Sequence, residues 1–355
     1  MDPALERILT AASQAPSGEN CQPWRFRVLG WTIELHLNAE SDQSLYGWGQ
    51  RASYLACGAA LENLVIAATA EGYASRVALL PNPQNSLHVA TILLEKIASL
   101  PKDPLADAIS ARCTNRKPYA QTRLSPEEIN ALEAAVGGEG SDFFELITDP
   151  NHVRDLGRVG STNEELMLAN EKLHRFFFSH VTWTKEEDAR KKIGFYIKTL
   201  ELPGPGECVF GVIRRWPVMR LLRAFGFNRL VATQNARTNA SVAAIGGLSI
   251  KGIEPINFVI LGRTVERVWL AATARGLSFQ PLTGILFFKL QTLAGNSPFS
   301  EDEQRRINEA YARAVDIFEV PKGSHLAFVF RVGHGTPPSA RSVRFPITEI
   351  TEVVS

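Results

Sequence analysis

Apolar positions recur at helical spacing from Pro3 to Ser13, which predicts a short amphipathic helix, and Trp24 to Val28 follows as a strand. Farther on, Leu61 to Gly72 reads LENLVIAATAEG and Val265 to Gly276 reads VERVWLAATARG. Both have helical spacing, and both end in a glycine where a helix C-terminus favours one. Glu62 aligns with Glu266 at an offset of 204 residues. A second echo, offset by 123, links Leu9–Ala12 with Leu132–Ala135. Each of these lies in a helix followed by a glycine-bearing loop and a strand, Trp24 to Val28 in one case and Phe143 to Ile147 in the other. Two echoes in the same order predict an α+β unit written twice, in residues 1–104 and 105–355. The unequal offsets imply an insertion of about 81 residues in the second copy, between roughly Asn151 and Arg237.

The insertion has its own pattern. Thr162 to Leu200 alternates charged and apolar groups at helical spacing and carries the aromatic runs HRFFFSHVTW and IGFYIKTL. A break at Leu202 to Glu207 precedes the basic, apolar stretch VIRRWPVMRLLRAFGF. Two readings stand: a helical subdomain packed on the core, or a lid over a ligand site. A membrane-surface reading of Arg214 to Arg223 is opposed by Trp216-Pro217, which breaks the amphipathic pattern.

Composition narrows the classes. The 355 residues are 45% hydrophobic and 21% charged, so a large packed core is expected. A net charge of +1 argues against nucleic acid or a membrane surface as partner, since both need a basic excess. Cys21, Cys57, Cys113 and Cys208 are far apart and form no C-x-x-C pair, so neither a disulfide framework nor a zinc site is implied. The seven histidines show no ligand spacing along the chain, and no metal is expected. MDPALERILTAAS lacks the basic start and apolar run of a signal peptide, and no apolar run nears ~18 residues. The expected setting is the cytoplasm. Gly204-Pro-Gly206 opens no G-x-x-G helix and there is no G-x-S-x-G, which removes Rossmann, P-loop and nucleophile-elbow readings.

Four segments carry chemistry. Ala15 to Phe26, APSGENCQPWRF, combines the turn formers Pro16, Ser17 and Gly18 with the amides of Asn20 and Gln22, and presents N–H groups and amides to a ligand. Ala111 to Tyr119, ARCTNRKPY, alternates Arg112, Thr114 and Arg116 along an extended run; two guanidinium forks with a hydroxyl between them suit a phosphate. A helix then starts at Ser125-Pro-Glu-Glu128, an N-cap followed by Pro at N1 and Glu at N3. Gly276 to Gly284 reads GLSFQPLTG, with Pro281, Thr283 and Gly284 at its end, and His334 to Arg344 holds Arg341 and Arg344.

Together these resemble the nitroreductase superfamily of FMN-dependent oxidoreductases. APSGEN–QPW is similar to that family's A-P-S-x-x-N-x-Q-P-W segment along the flavin ring, and ARCTNR to its R-x-S-x-R phosphate motif. GLSFQPLTG is similar to its G-L-x-x-x-P-x-x-G loop near flavin N5. Many members have Glu where this chain has Thr283. The C-terminal segment resembles the place where the family adds one more arginine to the phosphate, either Arg341 or Arg344. The first copy has the ring loop without an R-x-T-x-R before it, while the second has the phosphate motif but only VGGEGSDF at the ring-loop position. The resemblance therefore implies a nitroreductase-like fold made of two fused copies, an intramolecular pseudo-dimer with one composite site. That site would bind one FMN through Pro16, Ser17, Asn20, Gln22, Arg112, Thr114, Arg116, Pro281, Thr283, Gly284 and Arg341 or Arg344. No protein nucleophile is required, because the flavin carries the chemistry. The implied partners are NAD(P)H and a small electron acceptor such as a nitroaromatic, quinone or activated alkene. The alternative is a flavin-sequestering protein with a closed site and little turnover. The assembly is expected to be the single chain or a homodimer.

Overall fold

The computed structural model describes residues 1–42, 47–137, 143–293 and 297–354. The loop of the second copy at VGGEGSDF lies mostly outside the described residues. In the first part of the chain, helix α1 (Pro3–Ser13) leads to strands β1 (Trp24–Leu29) and β2 (Thr32–Leu37), helix α2 (Arg51–Ala70), and strands β3 (Tyr73–Leu79) and β4 (His88–Lys96). The same series recurs as α3 (Pro126–Val136), β5 (Phe143–Ile147), β8 (Ala244–Ile250), α10 (Pro255–Ala274), β9 (Ser278–Pro281) and β10 (His325–Gly333). The two sheets run β1-β2-β4-β3 and β5-β8-β10-β9, the same order through the corresponding strands, with antiparallel neighbours. A last strand, β11 (Thr351–Val354), follows the short helix α13 (Ile347–Ile350) and pairs in parallel with β1, so the chain's end returns to the first sheet.

Local chemistry explains the helix starts. Asp2 accepts from Ala4 N–H at the head of α1 with Pro3 in the first turn, and Ser125 and Glu128 form a full capping box on α3. Leu5, Ile8, Leu9 and Ala12 give α1 a buried stripe.

The two long helices α2 and α10 cross at the centre. Gly58 packs on the carbonyl of Val259, and Gly262 on the carbonyl of Leu55; a Cβ at either glycine would run into that oxygen. Gly58 and Gly262 are 204 residues apart, as are Leu55 and Val259, so the crossing is reciprocal. Both helices end just before a glycine of positive φ, 75° at Gly72 and 73° at Gly276. The segment from Trp48 to Ala70 is long and apolar enough to cross a bilayer by composition, but it is mostly buried at this crossing. One apolar core includes Leu35, Ile92 and Leu61 from the first part and Val265, Trp269 and Phe330 from the second.

Between β5 and β8 run α4 (Pro150–Ala169), α5 (Glu171–Ser179), β6 (Val181–Thr182), α6 (Lys185–Lys191), β7 (Phe195–Tyr196), α7 (Gly206–Ile213), α8 (Trp216–Ala224) and α9 (Phe227–Ala240). Pro217 stands in the first turn of α8, so the Trp216-Pro217 pair starts a helix there. Helix α4 buries Val153, Leu156 and Val159 in a second core with Ile245 and Val329, whereas Phe178, Val181, Ile197, Ile213, Trp216 and Met219 form a separate cluster. A second addition with no counterpart between β3 and β4, α11 (Gly284–Thr292) and α12 (Glu301–Ile317), separates β9 from β10.

Candidate functional site

Helix α1 leaves its last carbonyls without helical partners, at the negative end of its dipole. Arginines take them. Arg112 Nη2 donates to Gln14 O at 2.5 Å, and Arg344 donates from Nε to Ser13 O and from Nη2 to Ala15 O, both at 3.0 Å. Arg341 donates to the backbone oxygen of Arg112 at 2.5 Å. Arg112 also lies 4.6 Å over the Trp269 ring and 3.2 Å from Glu266, both on α10. Burial lowers the pKa of Arg112; burial and then the neighbouring Arg112 push Arg344 down to about 9. Burial pushes the Glu266 carboxyl up to about 7, with Arg112 pulling the other way. Two guanidiniums, Arg112 and Arg344, act on the one carboxylate of Glu266 with Arg341 beside Arg112, and such a set favours an oxyanion, which would relieve the repulsion among the cations.

The Arg112–Arg116 run is held extended beside β9. Thr114 bridges Phe279, Asn115 N–H donates to Phe279 O at 3.0 Å, and Asn115 Nδ2 donates to Ser278 Oγ and Thr336 O, each at 2.8 Å. This places the run next to the Pro281–Gly284 turn. Pro281 ends β9 opposite Phe330, Thr283 caps α11, and Gly284 sits so close to Asn163 of α4 that a Cβ would overlap its amide.

The loop after α1 is strained: Glu19, Asn20 and Gln22 adopt φ values of 52°, 54° and 49°. Such conformations cost about 1–3 kcal/mol each and persist only where the surroundings fix them. Ser17 Oγ accepts from Gln22 N–H at 3.0 Å, beside half-buried Pro16. Asn20 Nδ2 donates to Lys192 O and Val343 O, both at 2.9 Å, while its Oδ1 accepts from Arg344 Nη1 at 2.6 Å. Gln22 Nε2 donates to Lys192 O at 2.7 Å, and its Oε1 accepts from Phe345 N–H at 2.9 Å. Both amides are thus engaged by the protein. Burial, then Asp42, pushes the Glu19 carboxyl up to about 8.

The segment Lys192–Glu201 of the insertion crosses these parts like a strap. Besides Lys192 O, Gly194 N–H donates to Glu19 O at 2.7 Å, and Arg116 Nη1 donates to Thr199 O at 2.9 Å while lying 5.4 Å over the Phe195 ring. Glu201 accepts from Ser339 N–H and Oγ.

All the residues singled out from sequence therefore fall in one connected neighbourhood, but in different roles. Arg112 and Arg341 belong to the cation cluster, and Thr114 follows Arg112 along the run, bridged to Phe279. Arg344 spends its donors on α1 and Asn20, so it clamps the loop. Arg116 sits behind the strap. Sequence reasoning missed Trp269, the strap and Glu164. The Glu164 carboxyl is pushed up to about 7 by burial, and one of its buried oxygens has no hydrogen-bond partner. Glu266 was visible as a repeat position, though not as the partner of Arg112. Two clefts of about 450 and 570 Å³ lie elsewhere, by Arg223 and Glu303. His36 and His88, 52 positions apart in sequence, stack at 4.6 Å beside Glu34 because β2 and β4 pair.

No family model matches the chain. An uncharacterized protein of Mycobacterium tuberculosis is 25% identical over 353 residues, covering 98% of this chain and 48% of the relative. A protein of the same organism named "Putative NAD(P)H nitroreductase" is 29% identical over 179 residues, 44% of this chain and 52% of the relative. Another of that name, acg, is 36% identical over 121 residues, 33% of this chain and 36% of the relative. The chain spans about half the length of the first two relatives. Among solved structures, the nitroreductase-like family protein from Bacillus cereus is 13% identical over 72% of this chain and 99% of that one, at a TM-score of 0.36. The proteins this chain is similar to thus include ones named as nitroreductases, both among sequence relatives and among solved structures.

Proposed function

We propose that this chain binds one FMN at the Arg112 neighbourhood and is an oxidoreductase that passes reducing equivalents from NAD(P)H to small electrophiles such as nitroaromatics, quinones or activated alkenes. The observation that carries the reading is the meeting of the ring loop, the phosphate-type run, the β9 turn and the C-terminal arm around a cluster of guanidiniums. The donor set fits a phosphate monoester. Arg112 and Arg344 act on one carboxylate with Arg341 beside Arg112, Thr114 adds a hydroxyl, and the buried Arg112 Nε, 3.2 Å from Glu266 Oε1, makes no hydrogen bond of good geometry. When bound, FMN supplies hydride chemistry. Arg112, Thr114 and Arg341 would hold its phosphate. Arg344 would fix the ring loop, with Pro16, Ser17, Asn20 and Gln22 shaping its edge. Pro281, Thr283 and Gly284 would border the reacting side, and Arg116 would supply positive charge behind the strap. The repeated strand order supports reading the chain as two fused units with a single composite site.

A second reading, in which the chain sequesters FMN with little turnover, is favoured by one specific feature. The Lys192–Glu201 strap already engages Asn20, Gln22 and Arg116. Anaerobic mixing of the flavin-loaded chain with NADH or NADPH separates the two. Rapid loss of the flavin's yellow absorbance supports turnover, and absorbance that persists for hours, with FMN tightly bound, supports sequestration. Failure to bind FMN at all would refute both.

A further inference from the structure

The outer face of the first sheet carries a group of side chains unrelated to the cation cluster. Strand β2 alternates buried Ile33, Leu35 and Leu37 with outward, half-buried Glu34 and His36. Residues two apart on a strand share a face, so Glu34 and His36 point the same way. The third member comes from β4, and a break in register places it there. Leu35 pairs with Ala90, whereas His36 pairs with His88, skipping Val89. Regular pairing would set His36 opposite Val89, which is fully buried. The irregularity turns Val89 into the core and brings His88 onto the outer face opposite His36. Bulges re-aim side chains in this way, and they gather at functional sites.

The result is compact. One ligand-type atom from each of Glu34, His36 and His88 lies within 4.8 Å of the others. His36 Nε2 is 3.2 Å from Glu34 Oε2, and the two imidazoles stack at 4.6 Å. Thr91 Oγ1 lies 3.0 Å from His88 Nε2 and orients that ring, as outer-shell partners of metal-bound histidines do. One feature opposes a cation: Arg27 Nη1 sits 3.3 Å from Glu34 Oε2.

The geometry points to a divalent transition-metal site formed by Glu34, His36 and His88, of the zinc class, with solvent completing the coordination. Two imidazoles and a carboxylate are the donor set of open zinc centres, and they suit Co2+, Ni2+ and Cu2+ as well. Hard Mg2+ and Ca2+ prefer all-oxygen sets and should be refused.

The test uses the untagged, full chain after chelator treatment. It is titrated with Co2+, followed by the visible bands of the bound ion, and with Zn2+ by calorimetry. One ion per chain is expected, with Mg2+ silent. His36→Ala and His88→Ala should each weaken Zn2+ binding by about tenfold or more, since a lost ligand costs at least what a lost outer-shell partner does. Arg27→Ala should tighten binding by removing the cation that competes for Glu34, while FMN binding stays unchanged in all three variants. No saturable binding, or equal binding by the His36→Ala/His88→Ala double variant, would overturn the site. Unchanged or weaker binding in Arg27→Ala would remove Glu34 as a ligand.

Discussion

Glu62 and Glu266 occupy the same place in two crossing helices, and their surroundings differ. Glu62 accepts from Arg263 at 2.7 Å and Arg267 at 2.9 Å, and Arg267 reaches on to Asp103 at 3.2 Å. That side is closed by ion pairs at the rim of the helix pair. Glu266 is fully buried and faces Arg112, which belongs to the extended run between the repeats. A repeated backbone unit has thus been used once as a clamp and once as the wall of a cation cluster. Position in a fold does not fix a carboxylate's role; the charges that neighbouring segments bring to it do.

The crossing shared by both sides should be the most sensitive point. Gly58→Ala and Gly262→Ala each drive a methyl into a backbone carbonyl, which cannot yield as a side chain tip would. Each should cost at least the upper end of the about 1–3 kcal/mol typical of overpacking, read by urea unfolding. If only one of the two destabilises, the crossing is not reciprocal.

The two carboxylates should then separate by function. Arg112→Ala should weaken FMN binding by roughly ten- to a hundredfold, the equivalent of about 1.5–3 kcal/mol for a charge-assisted contact. Arg267→Ala should leave FMN affinity alone and lower stability by about 1–2 kcal/mol, as Glu62 keeps Arg263. Equal flavin losses in a fluorescence titration would erase the distinction.

Protonation gives a finer contrast. The Glu266 carboxyl is raised in the folded chain from its ordinary 4.5 to about 7, so the folded state binds the extra proton between these values. Its contribution to stability is present below about 4.5 and is lost as pH rises toward 7. In the FMN-free protein Glu266→Gln should flatten part of that decline in urea midpoint. Glu164, shifted the same way, should leave the rest. An unchanged pH profile would mean that Glu266 is ionised throughout.

The smallest effect is expected at Arg341. Its side chain is exposed and makes one bond, to Arg112 O, so Arg341→Ala should weaken FMN binding less than Arg112→Ala does, without loss of stability. Arg344→Ala should instead lower stability, since three backbone carbonyls and Asn20 lose their donor.

Much of this was legible in the chain because it is local. The helix from Pro3, the capping box at Ser125 and the two glycine-ended helices all announce themselves within a few residues. The likeness of the two long helices was legible too, since Ala67–Ala70 and Ala271–Ala274 read AATA at the same distance after Glu62 and Glu266. What escaped depends on pairing between distant segments. His36 meets His88 only through a strand irregularity, and the strap reaches Asn20 and Gln22 through the backbone oxygen of Lys192, which has no residue signature. Arg344 looked equivalent to Arg341 because nothing in the sequence shows that the end of α1 consumes one guanidinium and leaves the other exposed. The α11–α12 addition was hidden because the short segment before it matched a recognisable loop.

The central claim is that two copies of one unit make a single flavin site on the Glu266 side. Flavin released by acid from the purified, reconstituted chain measures it directly. One FMN per chain, lost on Arg112→Ala and retained on Arg267→Ala, is the predicted result; two FMN per chain, or none, would contradict it.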